Sequence, residues 1–329
     1  MKSYFNTHKA HLLFAVVILT GFAFGLISPD AAAGLGLVGF AGTNTITQAF
    51  VQQWDNTIRL QAQQKTSRFE PRVFNKGTIT GESFTANRLD ALEDTPENNV
   101  RHGDTVWSEA NHSTRVALMQ DFYQAVPVDR NDEPKVLANP TGSYMDSLVG
   151  AWNRRKDRII YAAALGNSQT KEGAQIALPS SQKIVAGATG MTKAKIILAK
   201  KMFRANECDE EADIPQELFM AYNSEMLEDI LADTTLTSAD FMAVQMLQEG
   251  KLTGKWCGFN WVPYERLNNT GGTYSTVAWA KDAIQFGLGF TEGKSQRRGD
   301  KKDAMQVSMA GSAGAVRVWE YGVVQIDFV

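Results

Sequence analysis

The chain has 329 residues, 43% of them hydrophobic and 21% charged, with a formal net charge of −3. Those values exclude a disordered chain, a collagen-like fibre and a disulfide-stapled miniprotein, and the acidic balance argues against a protein whose main task is to grip nucleic acid. The length allows roughly two domains of ~100–200 residues and a core that needs no metal or crosslink.

Residues 12–27 read LLFAVVILTGFAFGLI, an uncharged run behind Lys2 and Lys9 and ahead of Ser28-Pro29-Asp30-Ala31-Ala32-Ala33. A basic start, a short apolar stretch and an A-x-A site form the pattern of a secretory signal peptide, with cleavage after Ala33. The run is shorter than the ~20 residues that span a bilayer. Residues 34–42 make a Gly/Ala-rich joint. From Thr43, Ile46, Phe50, Trp54 and Ile58 recur every fourth position among glutamines, which predicts an amphipathic helix ending before Pro71. It is polar over most of its circumference and so suits an arm lying on another surface.

Residues 68–139 alternate short β-type stretches with polar ones: RVFNKGTITGESFTANRLD, EDTPENNVRHGDTVW and RVALMQDFYQAVPVD. Two or three strands joined by a long excursion around residues 94–104 are expected, and an unpatterned loop of that length is usually functional. Asn139-Pro140 opens the strongest helix, TGSYMDSLVGAWNRRKDRIIYAAALG, with proline suited to its first turn and Gly166 as its stop. Met145, Leu148, Trp152, Ile159 and Ala163 mark an apolar stripe, and Arg154, Arg155, Lys156, Asp157 and Arg158 a charged block.

Beyond residue 175 the pattern turns α/β. A helix over 192–204 leads to an acidic connector at 207–211, a strand over 217–222 and helices over 223–232 and 238–248. Strands follow in GKWCGFNWVPYERL and STVAWAKDAIQFGLG. A basic loop, GKSQRRGDKK, precedes two closing strands in DAMQVSMA and GAVRVWEYGVVQIDFV.

Chemistry-bearing motifs are weak. His102, Asp104, Glu109 and His112 match no H-E-x-x-H arrangement and read more simply as solvated loop residues. Residues 207–213 lack the alternation and glycine of an EF-hand loop. The stretch Gly187 to Lys193 lacks the spacing of a phosphate loop, no G-x-S-x-G elbow occurs, and neither Cys208 nor Cys257 has a recognisable histidine partner or metal-ligand spacing. No catalytic residue, metal or cofactor is assigned. Three basic clusters remain: residues 154–158; Lys193, Lys195, Lys200, Lys201 and Arg204; and residues 294–302. A solvated face is their simplest reading, and the near-neutral total favours ion pairing with another subunit over phosphate contact.

From about Thr43 to Val329 the chain resembles the tailed-bacteriophage major capsid proteins of the Hong Kong 97-like fold. AWNRRKDRIIYAAALG resembles the end of that family's spine helix. LEDILADTTLTSADFMAVQMLQEGKLTGKWCGFNWVPYERL resembles the helix, loop, helix and strand region of its axial domain, and VAWAKDAIQFGLG the strand that follows. DAMQVSMAGSAGAVRVWEYGVVQIDFV is similar to its closing strands.

The resemblance implies an α+β subunit with residues 1–42 as an apolar segment and joint, and 43–67 as an N-terminal arm helix. Residues 68–139 would form the E-loop hairpin with peripheral strands, 140–174 the spine helix of the peripheral domain, 175–299 the axial domain, and 300–329 closing strands that return to the peripheral sheet. It implies a non-enzymatic, self-assembling subunit of an icosahedral virion shell around double-stranded DNA, built in the host cytoplasm from pentamers and hexamers. Portal and decoration or scaffolding proteins would be partners, DNA contact weak and non-specific, and a small-molecule substrate absent. Ile46, Phe50, Trp54, Arg154, Arg155, Lys156 and Arg158 are the expected inter-subunit residues. The alternatives are an encapsulin-like nanocompartment, or an exported binding or surface protein with a cleaved signal peptide. Residues 12–27 do not look like the charged scaffolding region of some members, and no motif carries over their Lys–Asn crosslinking to Lys76.

Overall fold

The computed structural model describes residues 60–92, 94, 97, 101–105, 107–131, 141–232, 250, 252 and 255–329. The apolar segment, the arm residues Ile46, Phe50 and Trp54, the Asn139-Pro140 helix opening and the helix expected over 238–248 lie outside them.

A 3-10 turn at Glu70–Arg72 leads into β1 (Phe74–Thr78), then the antiparallel pair β2 (Ser83–Leu89) and β3 (His112–Leu118). The ladder continues one step further, where the Asp90 amide donates to the Asn111 carbonyl at 3.0 Å. The polar excursion is therefore the far end of a hairpin. β4 (Gln120–Val128) follows Met119. α1 (Thr141–Leu165) runs to Gly166, whose amide donates to the Ala162 carbonyl.

β5 (Ser168–Thr170), β6 (Gln175–Ile176) and β7 (Lys183–Ile184) are short. α2 (Lys193–Ala205) precedes β8 (Leu218–Tyr222), which is buried at every position, as expected of an apolar run covered on both faces. α3 (Ser224–Ala232) starts where the Asn223 side chain accepts the Met226 amide at 3.0 Å, an N-cap. The remaining strands are β9 (Lys255–Trp256), β10 (Phe259–Pro263), β11 (Asn268–Thr270), β12 (Thr273–Ala280), β13 (Ile284–Arg298), β14 (Ala304–Arg317) and β15 (Val323–Phe328).

Three sheets result. The first is ordered β1-β13-β14-β4, the second β7-β15-β12-β8-β10-β9 with β11 on β12, and the third β2-β3-β5-β6. α1 lies on β14 of the first sheet. The small residues of Ala-Gly-Ser-Ala-Gly-Ala at 310–315 allow that approach, since a Cβ on Gly311 would stand 2.6 Å from the Trp152 ring. Phe69, Tyr264, Trp279 and Phe219 form an aromatic chain in the core, with Phe69 4.7 Å from Tyr264 and 5.1 Å from Trp279.

Three local expectations are corrected. VAWAKDAIQFGLG is two strands in different sheets, because a 3-10 turn at Lys281–Ala283 intervenes. There the partners change: Ala280 donates to Gly322 and Lys281 to Glu217, while the Val318 amide donates to Ala283. The basic stretch GKSQRRGDKK is largely strand, since β13 pairs with β14 as far as Arg298 with Ala304. The closing segment also divides. β14 belongs to the first sheet under α1, whereas β15 runs inside the second, between β7 and β12, so 300–329 does not return to one sheet.

Candidate assembly surfaces

The charged block on α1 is turned largely inward. Asp157 is fully buried and accepts the Ser67 hydroxyl at 2.5 Å, the Arg68 amide at 3.0 Å, the Phe69 amide at 3.1 Å and the Gln64 side-chain amide. Lys156 is buried and pairs with Glu70. Arg154 donates to the Gln63 side chain and the Gln64 carbonyl, both at 2.9 Å, and Asn153 to the Lys65 carbonyl at 2.7 Å. This face of α1 therefore clamps residues 63–70 of its own chain. Lys156, expected at a subunit contact, is corrected to an internal ion pair. Arg158, though exposed, reaches the Tyr264 hydroxyl of its own chain. The Arg155 guanidinium stacks 4.3 Å from the centre of the Phe122 ring.

Buried charge fixes the hairpin ladder near the end from which the excursion leaves. Glu320 receives Arg88 at 2.6 Å and Arg115 at 2.9 Å, and Arg88 also pairs with Asp90 at 2.6 Å. Three positions earlier Arg317, fully buried, donates to the carbonyls of Ala164, Gly166 and Ile176 at 2.7, 2.6 and 3.0 Å. It caps the carboxyl end of α1, where unpaired carbonyls and the helix dipole favour a cation. Burial pushes its guanidinium below the usual arginine range, and Glu320 opposes that shift. Arg317 is the arginine of the GAVR stretch.

The other basic clusters are matched in part within the chain. Lys200 lies 3.6 Å from Asp209 and 3.4 Å from Glu210, and Arg204 lies 3.0 Å from Asp209 and 3.4 Å from Glu211. Arg298 pairs bidentately with Asp300, and Lys294 with Glu292 at 2.8 Å. The Lys195 ammonium is enclosed by the carbonyls of Ala186, Thr189, Gly190 and Asp327 at 2.8–3.2 Å. The loop from Gly187 to Lys193 thus turns carbonyls toward a cation, the opposite polarity to an amide cradle for phosphate.

Nothing here assembles a reactive centre among the described residues. No three His, Cys, Asp or Glu side chains gather as metal ligands there, with His102, Asp104 and Glu109 in the excursion and His112 opening β3. Burial pushes both the Cys208 and the Cys257 thiol up, away from the thiolate that nucleophilic chemistry needs.

Two surface features carry the site instead. An open groove of about 420 Å³ lies between α1 and β4, walled by Phe122, Leu148, Trp152, Arg155 and Met309. At the hairpin end, Trp107 is 87% exposed. Motif scanning passed over both, and over Asp157, Glu320 and Arg317. An uncapped aromatic in a polar, acidic loop was the one local signal available for Trp107.

A search of curated protein sequences finds no match. A family model described as phage capsid protein matches residues 46–329. Among solved structures, the head of Helicobacter pylori bacteriophage KHP40 is similar at 12% identity and TM-score 0.64, covering 88% of this chain and 97% of that one. The capsid asymmetric unit of cyanophage Pam1 is similar at 12% identity and TM-score 0.63 over 88% and 98%. The capsid of cyanophage P-SCSP1u gives 17% and 0.62 over 90% and 97%. At such identities the likeness is one of fold, an α+β subunit consistent with the Hong Kong 97-like class.

Proposed function

Because the chain belongs to the phage capsid protein family, we propose that it is a major capsid protein whose copies close into an icosahedral shell around a double-stranded DNA genome. The observation that carries this reading is the extent of the family match, which runs from residue 46 to 329. The geometry supports it. The described surface offers a projecting hairpin, an open groove and internally neutralised charge rather than an enclosed reaction site.

In this reading residues 43–67 form the arm, with Ile46, Phe50 and Trp54 lying on a neighbouring subunit, and the hairpin built on β2 and β3 reaches the next one. Residues 140–174 act as the spine of a peripheral unit, and the second sheet forms the axial unit at the capsomer centre. Of the α1 cations, Arg155 is the one offered to a neighbour, Arg154 and Lys156 being engaged within the chain and Arg158 lying beside Tyr264. A contact whose two sides differ is heterologous and closes into rings, here pentamers and hexamers that tile a shell. The net charge of −3 suits a wall that touches packaged DNA weakly. Portal and decoration or scaffolding proteins complete the partner set, and assembly takes place in the host cytoplasm.

Negative-stain microscopy of the purified full chain tests the proposal. Closed shells of uniform diameter are expected. A monomer processed after Ala33 and recovered outside the cytoplasm would overturn it.

A further inference from the structure

We infer that the groove between α1 and β4 is the socket for Trp107 of a second copy of this chain. The inference rests on the shell reading and adds to it the residues that make one contact.

Trp107 is the most exposed large apolar side chain among the described residues. A docked aromatic side chain buries ~150–250 Å², so an indole left in water on a subunit that assembles marks a contact still to be made. The groove fits that indole chemically. Its floor and walls are apolar at Leu148 and Met309 and aromatic at Phe122 and Trp152, whose rings lie 5.9 Å apart. Its rim carries Arg155, a guanidinium already stacked on one ring and suited to a second. About 420 Å³ exceeds what one indole fills, leaving room for the backbone on either side of it.

Charge selects the same pair. The excursion over residues 90–111 carries Asp90, Glu93, Asp94, Glu97, Asp104 and Glu109 against the single cation Arg101. Arg155 at the groove is the complementary sign. An acidic loop with an exposed aromatic thus meets a cationic, aromatic groove, an arrangement that steers encounter and fixes register.

The occupant is a second copy rather than the chain's own loop. Leu118, at the near end of β3, is two positions from β4, and Phe122 of the groove lies just beyond. β3 has seven residues, so at ~3.4 Å per residue it holds the excursion ~20 Å from that junction. The Glu320 ion pairs fix the ladder where the excursion leaves it, and the exposure of Trp107 means it is not folded back into its own groove. Donor and socket are different patches of one chain, which is the requirement for ring closure.

The test uses full-length protein. Trp107→Ala, and separately Ala151→Trp to fill the groove, are each expected to lower shell yield at least tenfold while leaving the thermal midpoint of the unassembled subunit within a degree or two. In a third sample p-benzoylphenylalanine replaces Trp107 in a mixture of isotope-labelled and unlabelled chains. Photo-crosslinks between unlike chains, mapped to residues 120–126 or 148–155, are expected. Crosslinks confined to one chain, crosslinks to another region of the second copy, or normal shells from both variants would overturn the contact. Any of those results with wild-type shells intact sinks this inference and leaves the shell reading standing. A wild-type chain that forms no shells sinks the shell reading first.

Discussion

Replacing Asp157 by Ala removes the acceptor that holds residues 64–69 to α1. The buried Phe69 amide, the Arg68 amide, the Ser67 hydroxyl and the Gln64 side chain all lose their partner. An orphaned buried donor costs ~1–3 kcal/mol, and hydrogen bonds to a charged group are the stronger ones at ~1.5–3 kcal/mol. Gln64, Ser67 and Arg68 are partly solvated and can recruit water, which leaves the buried Phe69 amide as the main loss, about 2–3 kcal/mol. That is a large share of the ~5–15 kcal/mol that holds a domain folded. It falls on a segment whose Phe69 ring anchors the aromatic chain with Tyr264 and Trp279. Asp157→Asn keeps one oxygen but turns an NH2 group toward donors, so about half that loss is expected. Urea unfolding of the unassembled subunit, followed by tryptophan fluorescence, measures both. Asp146→Ala on the exposed side of the same helix is the control, expected within ~0.5 kcal/mol of wild type. A loss below about 1 kcal/mol for Asp157→Ala, or one equal to the control's, would refute the clamp.

Gly311→Ala places a methyl group 2.6 Å from the Trp152 ring. Overpacking of about 1–3 kcal/mol is expected, with a matching fall in urea midpoint; an unchanged midpoint would show that α1 does not sit against β14 at that distance. Asp209 gives a pH test. Burial alone would raise its carboxyl, but the Arg204 hydrogen bond and the Lys200 and Arg204 charges outweigh it and hold it below the usual range. A folded value below the unfolded ~3.9 means the stabilisation is full above that pH and is lost as pH falls through the folded value. Asp209→Asn should therefore be less stable than wild type at pH 7, with the gap closing in acid below the ordinary carboxylate range. A gap that stays constant down to pH 2 would contradict the sign.

What the sequence made legible was local. α1 ends at Gly166, the glycine that closes its apolar pattern and where a Cβ would stand 2.7 Å from the Ala162 carbonyl, and β8 is central because every one of its residues is apolar. The charged block of α1 misled for the opposite reason. Asp157 and Lys156 look like a solvated face until residues 64–70, nearly ninety positions earlier, are folded over them. Likewise VAWAKDAIQFGLG alternates smoothly and gives no hint of a turn, since the break is imposed by Glu217, Gly322 and Val318 from other elements. The basic stretch after Gly293 has a loop's composition but extends as strand because β14 pairs with it residue by residue. The groove was invisible on similar grounds. Its walls come from β4, α1 and β14, and no window of sequence contains all three.

Those long-range polar contacts converge on one short segment. Arg317 holds the end of α1 and the carbonyl of Ile176 in β6, the Val318 amide holds the β12–β13 turn at Ala283, and Glu320 holds Arg88 and Arg115 of the hairpin. The Gly322 carbonyl then accepts the amide that ends β12. The crossing from β14 to β15 thus touches all three sheets of the described residues, and it fixes the end of α1 and the root of the excursion within four positions of each other. A buried ion pair adds little net stability over an apolar replacement, yet removing one partner costs ~3–5 kcal/mol. Its use at such a crossing is directional. The ladder itself packs Phe84, Ala86 and Ala117 against Val316 and Val318, but an apolar contact alone would let it slide and so change the angle at which the excursion leaves it. With the Glu320 carboxylate bonded to one guanidinium from each strand, tilting the hairpin against α1 requires breaking charge-assisted bonds out of water. A subunit that must present its loop to a neighbour at a repeatable angle needs that resistance at the root of the loop, where a small rotation displaces the tip most.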